Sequence, residues 1–412
     1  MNGRMGDELS RLLAERRGPP APIDADRMRR ERHARLQAEM ERQGVEVAVL
    51  LHGPNVAYAT GQAVRGVDVS HATFDRPVAV VVAGEERPHL LADDIDPALD
   101  VERHQAAWPE LDEGAAGLGK VLADVAGPLG GRRLAVDEQS GAMLRAGALD
   151  GAAVVDASPL VGAAKLAKTP DELACIAEAQ RRNEEAMVAA QAVARPGATR
   201  GQLAGTFLAR LVELGVDTNL IDPIFQPMPR SAADGPRTTT ETIAFPTGVG
   251  DPTFSEGDLV WVDAGIDHLG YASDFGRTWV IDRQPNPAEA QLFEGWCAVM
   301  VAVLDVLKPG VTGGDLCRAA EAVEGKRGRP WLPHFYLAHG VGVESAEMPL
   351  VGTDLGPEFD DRLVMAPGMV LVVEPVVWAD GVGGYRAEEI VAVTEDGWCH
   401  LGGGHPYPPF GS

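Results

Sequence analysis

Cysteine is scarce in this chain. Four residues, Cys175, Cys297, Cys317 and Cys399, are spread over 412 positions with no CxxC pair. That spacing argues against a zinc finger or a disulfide framework. It predicts free thiols, buried or half-buried, in a reducing compartment. Long apolar runs are missing too. No stretch of 18 apolar residues occurs, so no membrane span is expected. The first 23 residues mix Arg4, Glu8, Arg11, Glu15, Arg16 and Arg17 with short apolar pairs. Without an apolar h-region this is no signal peptide. It reads as a frayed leader with a short helix, and the expected location is the cytoplasm. Basic residues are outnumbered 36 to 61 by acidic ones, for a net charge of −25. Such a surface repels phosphate backbones and anionic lipid, so neither nucleic acid nor membrane is an expected partner. There is no Gly-rich phosphate loop, no low-complexity segment and no short repeat. Histidine is absent from 166 to 262.

What is present is ordinary for a globular protein: 45% apolar and 24% charged residues. The length calls for two domains. Asp24 is placed to cap a helix running to Gln43, with Arg27, Arg29, Arg30, Arg32 and Arg35 on a solvated face. A strand from Val45 to Leu51 follows, then a turn over His52-Gly53-Pro54-Asn55. Pro77–Ala83 and Pro88–Leu91 flank Gly84–Arg87 as a hairpin. Alternating elements make residues 24–165 an α/β domain. Beyond it, Thr169, Pro170 and Glu172 start a long helix to about Ala194. A second helix runs from Thr199 to near Gly215. The polar stretch 227–240 reads as a loop bordering a site. Strand patterns at Leu259–Val262, Thr278–Ile281, Met369–Val373 and Ile390–Val393 alternate with helical sequence at 287–307 and 314–323. Residues 166–412 are therefore an α+β domain.

Four windows of this second domain carry polar residues that are odd in strands. Leu259–Val262 is an apolar strand that ends in Asp263. Gly270-Tyr271-Ala272-Ser273-Asp274 leads into Arg277-Thr278. Ala338-His339-Gly340-Val341-Gly342 reads as a turn. Met369–Val373 runs into Glu374-Pro375, and Tyr385-Arg386-Ala387-Glu388-Glu389 precedes another strand. A buried carboxylate is costly unless it is paired or binds a metal. Four carboxylates can neutralise two divalent cations, and an oxygen-rich set with one imidazole suits Mn, Co, Fe or Zn.

These windows, in this order, resemble the "pita-bread" metallopeptidases of the M24 family, the creatinase–aminopeptidase P group. That family includes methionine aminopeptidase, aminopeptidase P, proline dipeptidase and creatinase. The eleven-residue spacing of Asp263 and Asp274 matches. Gly44–Leu51 and Asn55–Gly61 are similar to the creatinase-type N-terminal domain. The resemblance covers about residues 24–400 and implies a creatinase-like α/β domain followed by a pita-bread catalytic domain. It implies that Asp263 chelates one of two divalent ions, that His339 and Glu374 hold the other, and that Asp274 and Glu388 bridge them. Glu374 would serve as general base. Arg386 would meet a substrate carboxylate, or form a salt bridge to Glu389 or Asp274. Tyr385 and Tyr271 would line the pocket or simply pack. A homodimer is implied as well, with His52 a candidate to reach the neighbouring subunit's site.

Two imidazoles usual in the peptidases are missing. The position seventeen residues before Asp263 lies in Ala244-Phe245-Pro246-Thr247-Gly248, and Ala346 stands seven residues after His339. His334, five residues before His339, is a substitute candidate for catalysis, or a strand-end histidine. Three functions compete. One is Xaa-Pro dipeptidase or aminopeptidase P-type hydrolysis of an amide-type C–N bond in a dipeptide. Another is creatinase- or ectoine-hydrolase-like C–N hydrolysis, or a lyase reaction, on a small non-peptide compound. Gly265 lowers the lyase option, because the family's lyase carries an Asp there. The third is a non-catalytic binding module, disfavoured because all five ligands are present.

Overall fold

The computed structural model describes residues 4–18, 21–63, 76–216, 219–231, 253–325, 331, 336–407 and 409–410. The chain divides into two compact units. One is Ile23–Asp171; the other joins Met1–Pro22 to Glu172–Ser412.

The first unit is built on a six-stranded sheet of β1 (Val47–Leu50), β2 (Val78–Val82), β3 (His89–Leu91), β4 (Glu102–His104), β5 (Arg133–Val136) and β6 (Ala153–Asp156), in the order β4-β3-β2-β1-β5-β6. β1 pairs antiparallel with β2 and parallel with β5. Val47, Val49, Val78, Val80 and Leu134 pack against Ala115, Leu118 and Leu122 of the helix Asp112–Ala126. The helix Ala25–Gln43 forms as the sequence leads one to expect. The Asp24 side chain accepts from Arg27 N, and Gly44 closes it at φ +64°, a left-handed conformation that costs glycine little. Its buried side chains are four apart: Met28, Arg32, Leu36 and Met40. Arg32 thus leaves the solvated face, its guanidinium 5.5 Å from the Tyr58 ring centroid. The expected turn at His52–Asn55 is instead the start of a helix, Gly53–Thr60. Pro54 lies in the first turn, where a missing N–H costs nothing, and Gly61 ends the helix at φ +82°.

The second unit holds the antiparallel set β7 (Asn219–Pro227), β8 (Leu259–His268), β9 (Tyr271–Ala272) and β10 (Phe275–Val280), ordered β10-β8-β7 with β9 on β8. A five-stranded antiparallel sheet follows, from β11 (Ala338–Gly340), β12 (Glu347–Val351), β13 (Val370–Val373), β16 (Glu389–Val393) and β17 (Trp398–His400), in the order β12-β11-β13-β16-β17. β14 (Val376–Ala379) and β15 (Gly383–Arg386) form a separate hairpin. Helices Pro170–Ala192, Arg200–Glu213, Pro287–Val306 and Gly313–Glu324 complete the unit. Phe207, Phe225, Val260, Val262, Phe275 and Trp279 lie in its core.

The leader is not frayed. Arg4–Glu15 is a helix that buries Leu9 and Leu13. Met5 N donates to Glu294 Oε2 at 3.0 Å, and the bare Cα of Gly6 faces the Phe293 ring. The chain then runs beside β17, with Gly18 N donating to His400 O at 2.9 Å and His400 N to Arg16 O at 2.8 Å. No described helix is long and apolar enough to cross a membrane. All four cysteines are free, three of them buried and Cys399 half-buried.

Candidate metal centre

The first carboxylate comes from β8. That strand does not end at Asp263, as its apolar start suggests, but continues to His268. In the ladder with β10, Asp263 stands opposite Gly276. The chain reverses through β9 and returns Asp274 just ahead of β10. Asn183 Nδ2 fixes this return by donating to Ala264 O at 2.6 Å and Ser273 Oγ at 3.0 Å. His339 lies inside β11, which is a strand rather than a turn, and Glu374 follows β13 directly. β11 and β13 are antiparallel neighbours, with His339 opposite Val372. Glu388 sits between β15 and β16. Its carboxylate rests against Gly276, where a Cβ would lie 2.6 Å from Glu388 Oε1.

These five side chains are all buried. Asp263, Asp274 and Glu388 present oxygens within 4.8 Å of one another. His339 Nε2 lies 3.3 Å from Asp274 Oδ2 and 2.9 Å from Glu374 Oε1, and its Nδ1 is 2.9 Å from Gly340 O. Asp274 is therefore common to both groups. Arg386 occupies the middle. It donates to Asp263 Oδ2 at 3.1 Å and Glu374 Oε2 at 2.5 Å, and ion-pairs with Glu388. Its guanidinium lies 4.9 Å from the Trp261 ring centroid. Thr278 Oγ1 holds the Arg386 backbone, donating to its carbonyl at 2.7 Å and accepting from its N at 3.1 Å.

The charges do not balance within the chain. Four carboxylates share one arginine and one imidazole. Asp263 Oδ1, Asp274 Oδ1 and Glu388 Oε2 are buried and accept no hydrogen bond among the described residues. Burial pushes the Asp263 carboxyl up to about 8; Arg386 opposes this, and Asp274 and Glu374 reinforce it. Burial likewise raises Glu388 well above the carboxylate range against the pull of Arg386, with Asp263, Asp274 and Glu374 adding to it. For His339, burial disfavours the charged ring, but Glu374 and Asp274 outweigh it and raise the pKa well above 6.5. Orphaned, clustered carboxylate oxygens beside one imidazole fit hard or borderline divalent cations, so the residues present suit the metals that the donor set suggests.

Arg386 is committed to the cluster and is buried, rather than pairing with Glu389 or Asp274. Tyr385 requires a correction as a substrate contact. It alternates with Arg386 along β15 and points away, into a cluster of Phe293, Trp296 and Phe410 with ring centroids 4.9–5.4 Å off. Its hydroxyl is buried with no hydrogen-bond partner among the described residues. Tyr271 also packs, its hydroxyl donating to Glu172 Oε1 at 2.6 Å. His52 Nδ1 lies 3.2 Å from Glu138 Oε1 in the first unit. His334, and Phe245 and Pro246 at the site of one missing imidazole, lie outside the described residues. Ala346 is exposed just ahead of β12. Tyr336 went unnoticed in the sequence. It is half-buried, with its ring centroid 5.2 Å from that of His339. Burial raises its phenol to about 12, helped by Glu374 and Asp274. An aromatic three residues ahead of the candidate ligand His339 was the signal available.

Residues 174–395 match the model of metallopeptidase family M24, and residues 32–164 that of the creatinase/prolidase N-terminal domain. The chain belongs to metallopeptidase family M24. It is 32% identical over 155 residues to an Xaa-Pro dipeptidase of Pyrococcus horikoshii, covering 37% of this chain and 42% of that one. It is 28% identical over 234 residues to the Xaa-Pro dipeptidase of Pyrococcus furiosus, covering 57% and 62%. These alignments thus span about half the length of the curated relatives. A crystal structure of recombinant prolidase from Thermococcus sibiricus superposes with a TM-score of 0.72 at 21% identity, over 93% of this chain and 98% of that one. The fold is accordingly a creatinase-like N-terminal domain with a pita-bread catalytic domain.

Proposed function

We propose that this protein is a dinuclear metal-dependent hydrolase of the Xaa-Pro dipeptidase or aminopeptidase P type, cleaving an amide-type C–N bond. The observation that carries this reading is the buried set of Asp263, Asp274, His339, Glu374 and Glu388, whose orphaned oxygens leave negative charge without a partner. Asp274, shared by the two groups of ligands, is suited to bridge two ions, with Glu388 as the second bridge. Mn, Co, Fe or Zn ions held there would supply Lewis acidity to water and to the substrate carbonyl. The chain's own residues do the rest. Glu374 takes the proton lost by the attacking water and returns it to the leaving nitrogen as the C–O bond forms and the C–N bond breaks. Arg386 holds Asp263 and Glu374 in place through its two hydrogen bonds, a positioning role rather than contact with a substrate carboxylate. The supporting relatives are dipeptidases by name, which favours a dipeptide substrate. We also propose a homodimer in the cytoplasm, in keeping with the four free thiols, and the domain limits 24–165 and 166–412.

One observation favours a second reading, a small non-peptide substrate. Ala346 offers no donor where the peptidases carry an imidazole, and loss of such a donor costs roughly 10²–10³ in rate. Metal analysis followed by a screen of Xaa-Pro dipeptides beside small amides and guanidino compounds separates the two. Chelation should abolish turnover and metal add-back restore it. Asp274→Ala should lose both ions together; an active, metal-free Asp274→Ala enzyme would sink the assignment.

A further inference from the structure

Glu388 stands in the gap between β15, which ends at Arg386, and β16, which starts at Glu389. It lies outside the ladders of both strands, yet its backbone aims one of the buried carboxylates of the centre. Buried backbone groups need partners, and these find theirs on β10. Glu388 N donates to Gly276 O at 3.1 Å. Glu388 O accepts from Arg277 Nη1 at 2.7 Å, and the same Nη1 donates to Gly276 O at 2.8 Å. The N–H and the carbonyl that flank the Glu388 Cα are thus both pinned to neighbouring residues of one strand. Thr278, next along, grips Arg386 in the way already described. Asp274 lies only two residues before Gly276, so one short segment carries one candidate bridging carboxylate and fixes the other.

Arg277 is itself held rigidly. It is buried, and its guanidinium lies 4.7 Å from the Phe275 ring centroid and 4.6 Å from that of Tyr407. Nη2 donates to Glu389 Oε1 at 2.8 Å and to His405 O at 3.1 Å. The two terminal nitrogens therefore have separate tasks. Nη2 meets the anion, and Nη1 meets the Glu388 backbone.

We propose that Arg277 is a positioning residue for the metal centre: through Nη1 it fixes the backbone of Glu388 and so aims that carboxylate at Asp263 and Asp274. This rests on the metal-dependent reading above. Without the donor, the Glu388 carbonyl would be buried and unpaired, and the backbone would turn to find another partner, carrying the side chain with it. Groups that orient a ligand in this way set metal affinity without touching the metal. Lysine is a poor substitute, because it offers one nitrogen where the guanidinium offers a fork.

The test uses full-length protein as wild type, Arg277→Lys and Glu389→Gln, with Mn as the probe. Glu389→Gln breaks the ion pair but leaves Nη1 on the Glu388 carbonyl; Arg277→Lys keeps the charge and loses the fork. Mn affinity is measured by competition with a chelator, coupling between bound Mn ions by EPR, and stability by denaturation. Glu389→Gln should lose stability yet bind Mn within about threefold of wild type, whereas Arg277→Lys should bind roughly 10–100-fold more weakly and show altered coupling. Unchanged affinity and spectrum in Arg277→Lys would overturn the proposal. So would equal losses of affinity in the two variants, which would make the arginine a support of the fold alone. Should Arg277→Lys not fold, Arg277→Met combined with Glu389→Gln removes the ion pair as a unit and is read against Glu389→Gln in the same way. Should wild type bind no Mn, the metal reading fails by itself. Crystal structures of wild type and Arg277→Lys then decide: a Glu388 carboxylate displaced by more than about 0.5 Å upholds the positioning role, and an unmoved one overturns it.

Discussion

Glu389 accepts from Arg277 Nη2 at 2.8 Å and from the Tyr407 hydroxyl at 2.5 Å, and lies 2.7 Å from His400 Nε2. Its neighbour Glu388, equally buried, meets Arg386 but leaves Oε2 without any hydrogen bond among the described residues. Burial alone raises the pKa of either group. For Glu389, Arg277 and His400 outweigh burial and hold the carboxyl at about 2. For Glu388, the other carboxylates of the centre add to burial and hold it far above the usual range. One peptide step, at the entry to β16, separates a carboxylate satisfied by its own chain from one that requires something the chain does not supply. The contrast teaches how to tell a structural charge from a ligand. Burial and charge are the same in both; the difference is the count of unmet acceptors.

The largest effect that can break this comparison is on stability. Glu389→Gln leaves Arg277 buried without its anion and should destabilise the fold by about 3–5 kcal/mol, with metal content kept in whatever protein remains folded. Glu388→Gln removes a charge that shares Arg386 with Asp263 and Glu374. In metal-free protein it should leave the melting temperature unchanged or raised, while weakening metal binding more than about 100-fold. Denaturation curves and metal analysis of the two variants check this. Equal destabilisation by both would show the two glutamates to be alike.

A second prediction concerns pH. The folded pKa of Asp263 is raised to about 8. Its contribution to metal-free stability is therefore fully present below its unfolded value near 4 and is lost as pH rises through about 8. For Glu389 the sign is opposite, with stability present above about 4.5 and lost as pH falls towards 2. Metal binding expels protons from the centre. The rise in melting temperature on adding Mn should thus be several degrees larger at pH 8 than at pH 5. A rise that is flat across that range would contradict the assignment.

The smallest effect comes from Gly276. A methyl there would stand 2.6 Å from Glu388 Oε1, so Gly276→Ala should move that carboxylate. Metal affinity should fall about tenfold with little change in metal-free stability, measured by competition with a chelator; unchanged affinity would show that Glu388 needs no such contact.

The buried polar cluster was legible because each member is a polar residue set in apolar surroundings, and a strand pattern shows that plainly. Asp263 and Glu374 are read at once beside Val260, Val262, Val372 and Val373. What a charged side chain does once buried is less legible. Arg386 could reach outward or inward, and only the fold brings Asp263, 123 positions away, to its guanidinium. Tyr385 and Arg386 differ in face by a single step of β15, and the register of the 376–386 hairpin decides which one meets the site. Pro54 looked like a turn because proline starts helices and turns alike. The leader looked frayed because its apolar residues are few, and the surface that receives Leu9 and Leu13 lies nearly three hundred residues downstream.

That docked leader has a consequence for how the molecule is made. Residues 16–18 hydrogen-bond with His400, far downstream in the sequence. On the ribosome the helix Arg4–Glu15 emerges long before its resting place, which does not exist until β17 has been synthesised. The unit Ile23–Asp171 has all its strands long before that moment, and domains generally fold as they emerge. The segment must therefore wait, tethered to a finished domain, and docks only once His400 has been made.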